Sequence, residues 1–84
     1  MNKKITTSDP VFTNIAEKIA ATAEISLEKI KLKSQLQNLG MDSLDALALM
    51  SDLEAEYKIK IPNQELLKIK TVEQAVESIK NRIA

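Results

Sequence analysis

Apolar residues return at three- and four-residue steps in three stretches of the chain, the spacing of amphipathic helices. The first stripe is Val11, Phe12, Ile15, Ala16, Ile19, Ala20 and Ala23. Ser8 or Asp9 can cap it and Pro10 presets φ in its first turn, so a helix is predicted from there to about Ala23. The second stretch starts at Asp42 or Ser43. At about 100° per residue, Ala46, Leu49, Met50, Leu53 and Tyr57 share a broad buried face. Asp45, Asp52 and Glu56 line its flank, and Leu44, Ala48, Ser51 and Ala55 form an outward strip without charge. Ile59, Ile61 and Pro62 are expected to end this helix, because proline disfavours helical geometry in the residue before it. Asn63 is a candidate cap for a short third helix holding Leu66 and Leu67. Thr71 and Gln74 make a capping box before the last stripe, Val72, Ala75, Val76, Ile79 and Ile83. Glu73 and Glu77 lie toward the start of that helix and Lys80 and Arg82 toward its end, which suits the helix dipole.

Between the first two helices the apolar residues Ile25, Leu27, Ile30, Leu32, Leu36 and Leu39 keep no single period. They predict a long loop pinned to the core by those side chains, with room for one helical turn. Gly40, the only glycine, marks a backbone conformation or a close approach that a β-carbon would obstruct. Residues 1–7 read as a polar, mobile tail. The expected fold is all-α: a small bundle of three main helices and one short one, with the long loop between the first and second.

Length and composition agree with that outline. Eighty-four residues suffice for one small domain, and a single domain over 1–84 is expected. One glycine, two prolines and two aromatics, Phe12 and Tyr57, favour helices over a sandwich or barrel. No apolar run reaches membrane-span length and the amino terminus lacks a signal-peptide core, so a cytoplasmic protein without stable membrane insertion is expected. The absence of cysteine fits a reducing compartment.

Charge is uneven although the totals of twelve acids and twelve bases cancel. Leu39 to Tyr57 holds Asp42, Asp45, Asp52, Glu54 and Glu56 and no base. Lys29, Lys31 and Lys33 precede this block, and Lys58, Lys60, Lys68 and Lys70 follow it. A solvated helix between lysine-rich loops explains this pattern more simply than a docking surface does. Nucleic acid is not an expected partner, since no net positive charge or basic stripe with stacking aromatics is present.

The side chains exclude most catalysis. There is no histidine to activate Ser43 as a nucleophile. Asp42 and Asp45 stand three apart without a calcium loop or ligand cage, and read as helix-start residues rather than a metal site. A serine at a helix start is most simply a cap. The same place also favours an anion, because free amides and the dipole would stabilise a phosphate ester on the serine oxygen by roughly 1 to 2 kcal/mol.

The stretch GMDSLDALALMSDLEAEY resembles the G-x-DSL-D/E attachment motif and second helix of acyl carrier proteins. IPNQELLKIKTVEQAVESI is similar to the same family's later segment, with its IP, isoleucine, TV and spaced Ala and Ile. The likeness covers the whole chain and is strongest from Leu36 to Ile79. By that resemblance, Ser43 carries 4′-phosphopantetheine, attached by a phosphopantetheinyl transferase from coenzyme A, and the protein is a carrier rather than an enzyme. A chain with no thiol of its own thereby gains one on a flexible arm. Asp42 matches the aspartate that helps the transferase bind magnesium. Asp42, Leu44, Asp45 and Glu54 match partner-docking positions for acyl transferases, ketosynthases and other acyl-chain enzymes, with the carrier a monomer. Leu49, Met50, Leu53, Ile61, Leu66, Ile69, Ala75 and Ile79 match the lining of the acyl-chain cavity. Leu66 stands where the family often has alanine, which implies a shallower pocket. Ala48, Ser51 and Ala55 replace larger or acidic residues of the second helix, which implies partner binding less sensitive to ionic strength. Fatty acid biosynthesis is the leading expectation. A specialised carrier for a polyketide, lipid or aminoacyl pathway is the alternative, and a helical interaction module with Ser43 as a mere cap is the rival from another class.

Overall fold

The computed structural model describes residues 9–83; the proposed mobile tail and the Ser8 cap lie outside them. The chain runs through α1 (Pro10–Ala23), α2 (Ser43–Tyr57), α3 (Asn63–Leu66) and α4 (Val72–Ile83). Among the described residues there is no strand, only an isolated antiparallel bridge between Gln35 and Thr71. The all-α bundle of three main helices and one short one is thus the observed fold.

Asp9 caps α1, its Oδ1 accepting from the Val11 amide at 2.9 Å, with Pro10 in the first turn. The predicted stripe is buried from Val11 to Ile19, while Ala20 and Ala23 are half-buried against the core. Two helices end by the same device. Glu24 after α1 and Lys58 after α2 take φ of 57° and 58°, and the next amide, Ile25 or Ile59, donates back to the Ala20 or Glu54 carbonyl. This left-handed closure satisfies carbonyls the helix would leave unpaired, and the isoleucine that follows packs on the core. It corrects the expectation that proline ends α2: the helix stops at Tyr57, five positions before Pro62.

The long loop contains two single 3₁₀ turns, Leu27–Lys29 and Gln37–Leu39, rather than one helical turn. Ile30 and Leu36 are buried and Ile25, Leu32 and Leu39 half-buried, as expected. Leu27 is not pinned; it is half exposed. The loop is held by backbone as much as by side chains. Leu36 N–H donates to the Lys70 carbonyl, and the Val72 and Glu73 amides donate to the Ser34 and Leu32 carbonyls, at 2.9 to 3.0 Å. Those bonds could not be read from hydrophobic spacing, because they involve main chain only. Gly40 has φ of 92°, so it is the left-handed backbone that requires glycine; an added β-carbon would meet only ordinary contact with Ala23.

α4 starts with the predicted capping box: Gln74 N–H donates to Thr71 Oγ1 and Thr71 N–H to Gln74 Oε1, both at 3.1 Å. Val72, Ala75, Val76 and Ile79 are fully buried. Ile83 is exposed instead, and Ser78 takes a buried place that the apolar pattern missed. α3 differs in detail from expectation. Pro62 is its cap residue, Asn63 is its first residue and makes no cap, and Leu67 follows it. α4 packs against both α1 and α2. Lys80 meets Asp9, and Asn14 and Lys18 meet Tyr57 and Asp52, so α1 runs antiparallel to both partners. One pole of the bundle therefore gathers the start of α2, the start of α4, the end of α1 and the long loop.

Candidate functional site

Ser43 lies at that pole as the first residue of α2. The cap is its neighbour. Asp42 Oδ1 accepts the Asp45 amide at 2.9 Å and Asp45 Oδ2 accepts the Asp42 amide at 3.3 Å, a reciprocal capping box. The simple view of Ser43 as the cap is therefore not what the structure shows. Its side chain is exposed, and among the described residues its hydroxyl has no hydrogen-bond partner. The Ser43 and Leu44 amides likewise have none, which is the usual state of the first amides of a helix. An exposed, uncommitted hydroxyl beside free amides at the positive end of a fifteen-residue helix suits a phosphate ester.

Two clefts open at Ser43. The larger, of about 340 Å³, is lined by Gln35, Leu36, Gln37, Met41, Asp42, Ala46, Ile69 and Lys70 as well as Ser43. The smaller, of about 110 Å³, shares Ser43, Ala46, Ile69 and Lys70 with it and adds Leu47, Met50, Leu66 and Leu67. Of the eight residues expected to line an acyl cavity, Met50, Leu66 and Ile69 border this smaller cleft. Leu49, Leu53, Ile61, Ala75 and Ile79 are packed into the core. Ala46, Leu47, Leu67 and Lys70 were missed by sequence reading. Ala46 and Leu47 could have been found from helical register, since residues three and four beyond Ser43 lie on its face. Leu67 and Lys70 carry no such signal, because they follow a four-residue helix.

The acidic flank is largely engaged within the fold. Lys18 Nζ lies 3.0 Å from both Asp52 and Glu56. Bonds from Lys18 and Asn14 hold the Glu56 carboxyl below the usual carboxylate range, and Asp52 and then Glu56 raise the Lys18 ammonium. Glu54 Oε2 accepts the Ile61 amide at 2.6 Å, so this proposed docking residue also secures the turn after α2. Leu44 is 75% exposed and Asp45 half-buried in the capping box. Ala48, Ser51 and Ala55 face solvent as the register requires. Among the described residues, no group of acids is arranged to hold a metal ion, and no helix is long and apolar enough to cross a membrane.

Residues 14–79 match the family model described as "Phosphopantetheine attachment site". The chain is 41% identical over 75 residues to an acyl carrier protein of Treponema denticola, covering 88% of this chain and 96% of that one. It is 36% identical over 81 residues to the acyl carrier protein of Rickettsia canadensis, covering 95% and 94%. With that of Phytoplasma mali the identity is 35% over 74 residues, covering 87% and 88%. The helical bundle, the free hydroxyl at the head of α2 and these likenesses converge, and the chain belongs to the acyl carrier protein family, whose prosthetic group is 4′-phosphopantetheine.

Proposed function

We propose that Ser43 is the attachment residue and that the protein carries acyl intermediates of fatty acid biosynthesis as thioesters. The observation that supports this reading most is the Ser43 hydroxyl: exposed, unbonded among the described residues, and at the shared mouth of two clefts. When bound, the group supplies the thiol that the chain lacks. In attachment, the Ser43 Oγ–phosphorus bond forms as the pyrophosphate bond of coenzyme A breaks. Adenosine bisphosphate leaves, and the hydroxyl proton passes to the transferase or solvent. The Asp42–Asp45 box fixes the backbone at the α2 start and so places the Ser43 side chain at the helix end.

The partners on this reading are a phosphopantetheinyl transferase and the enzymes that load and process acyl chains. They would meet Leu44 and the start of α2, with Asp42 and Asp45 beside it. The smaller cleft is the entrance for an acyl segment, and the core residues Leu49, Leu53, Ile61, Ala75 and Ile79 lie beyond it. At about 110 Å³, roughly the volume of four waters, with Leu66 in its wall, it supports the shallow-pocket reading. Partial compensation of Asp52 and Glu56 by the single charge of Lys18 supports weaker charge steering of partners.

Mass spectrometry of protein purified from its native cell tests the assignment. A fatty acyl thioester arm on the Ser43 peptide is expected. An aminoacyl or polyketide adduct would move the protein to a specialised pathway, and a Ser43 peptide without an arm would favour the interaction-module reading.

A further inference from the structure

The two clefts at Ser43 differ in what they can bond. The smaller is walled by Leu47, Met50, Leu66, Leu67 and Ile69. The larger adds two side-chain amides, Gln35 and Gln37, to an apolar floor of Leu36, Met41, Ala46 and Ile69. The loop's backbone bonds to the Lys70 carbonyl and to Val72 bring these glutamines beside Lys70. Lys70 is exposed, lines both clefts, and has no ion-pair partner among the described residues.

We propose that the larger cleft is the resting place of the phosphopantetheine arm, with Lys70 against its phosphodiester and Gln35 and Gln37 bonding its amides. This rests on Ser43 being the attachment residue. The chemistry of the arm decides between the clefts. It carries, in order from the serine, a negative phosphodiester, a gem-dimethyl carbon, a secondary hydroxyl, two amides and a thiol. Amides taken into the smaller cleft would leave donors and acceptors facing leucine and methionine, a costly arrangement. Each glutamine offers both a donor pair and an acceptor, the complement of an amide. The floor accepts the gem-dimethyl group. A volume of about 340 Å³ also falls in the usual range of small-molecule sites, about 300 to 1,000 Å³, and about 110 Å³ does not. Asp42 is the one acid on the cleft wall. Its Oδ1 is engaged by the Asp45 amide, and Lys70 supplies the opposing charge.

The consequence is a division of labour at one serine, in which the unloaded arm lies in the polar cleft without occupying the apolar one. The test uses isotope-labelled protein loaded from coenzyme A by a phosphopantetheinyl transferase, with intact mass confirming the load. Filtered nuclear Overhauser spectra then report which residues the arm protons touch. Contacts to the Gln35 and Gln37 side-chain amides and to Met41 are expected. Lys70→Glu should weaken them about two- to fivefold, the size of an exposed ion-pair effect, and shift the phosphodiester phosphorus resonance. Gln35→Ala with Gln37→Ala, both at exposed positions, should also weaken the contacts from the arm to Met41 in a folded, fully loaded protein, and Met41 contacts of unchanged strength would overturn the role of the glutamines. An arm that is loaded by mass yet touches only Leu47 and Leu67, or nothing, overturns the inference alone. Failure to load overturns the Ser43 assignment itself.

Discussion

The two ends of α2 are built on opposite plans. At its carboxyl end, charged groups are tied to one another across the bundle. Lys18 bridges Asp52 and Glu56, Asn14 donates to Glu56 and Tyr57, and Glu54 holds the Ile61 amide. Nearby, Glu65 receives Arg82 at 2.7 Å and the buried Ser78 hydroxyl at 2.8 Å. Lys80 pairs with Asp9 at 2.6 Å. At the amino end the side-chain bonds of α2 itself are local, confined to a capping box between residues three apart, and the ties between elements there are main-chain bonds between the long loop and α4. Two clefts, an uncommitted hydroxyl and the exposed side chains of Leu44, Leu47 and Leu67 surround the box. Cross-helix ties at one pole leave the other free to present groups that serve something outside the fold. The helix itself connects the two, since its core face is common to both.

Breaking that shared face should have the largest effect. Leu53 is fully buried on the core face of α2, and Leu53→Ala is expected to cost about 3 kcal/mol through lost transfer energy and a cavity. Chemical denaturation should show one cooperative loss of both poles; a normal midpoint would show the core to be looser than described. Asp42→Ala attacks the open pole only. Loss of the cap is worth about 1 kcal/mol, and amide exchange should quicken in the first turn of α2 while α4 keeps its protection. Exchange that rises equally everywhere would contradict a local role.

The braced pole can be probed by pH. Arg82 and then Ser78 hold the Glu65 carboxyl below its ordinary value of 4.5, and Lys80 does the same for Asp9 below 3.8. A lowered folded pKa means the stabilisation is complete above the ordinary value and is lost as pH falls through the folded one. Stability should therefore decline below about pH 4.5. Glu65→Gln should flatten that decline and cost under about 1 kcal/mol at neutral pH, since the pair is partly exposed. An acid limb unchanged by Glu65→Gln would remove this group from the account. The mildest change is Leu66→Ala, which should deepen the smaller cleft and lengthen the acyl chain that resists thioester hydrolysis, with folding nearly intact because Leu66 is only half-buried. Equal protection of long chains in both proteins would show that Leu66 does not limit the pocket.

What could be read in advance follows the same division. The stripes of α1 and α4 were legible because one helix face is buried against neighbours, so period and packing coincide. Ser43 stood out as a candidate because a motif sets it between two aspartates, and its place at the start of α2 is as the sequence implies. The brace was not legible: Lys18, Asp52 and Glu56 are ordinary solvent-face charges until α1 and α2 are brought together, and Ser78 looked polar until Glu65 reached it. α1 ends at Ala23 as its stripe implies, but the left-handed closures at Glu24 and Lys58 were hidden for another reason, since they use residues with no preference for that backbone. The clefts depend on where the loop lies, and main-chain bonds to α4 place it.

The most direct test of the central claim is the intact mass of the protein after incubation with coenzyme A and a phosphopantetheinyl transferase. The account predicts complete conversion of the folded wild type by the mass of one phosphopantetheine, and no conversion of an equally folded Ser43→Ala variant. A folded wild type that stays unmodified under conditions that load another acyl carrier protein, or a Ser43→Ala variant that still gains the arm, would contradict it.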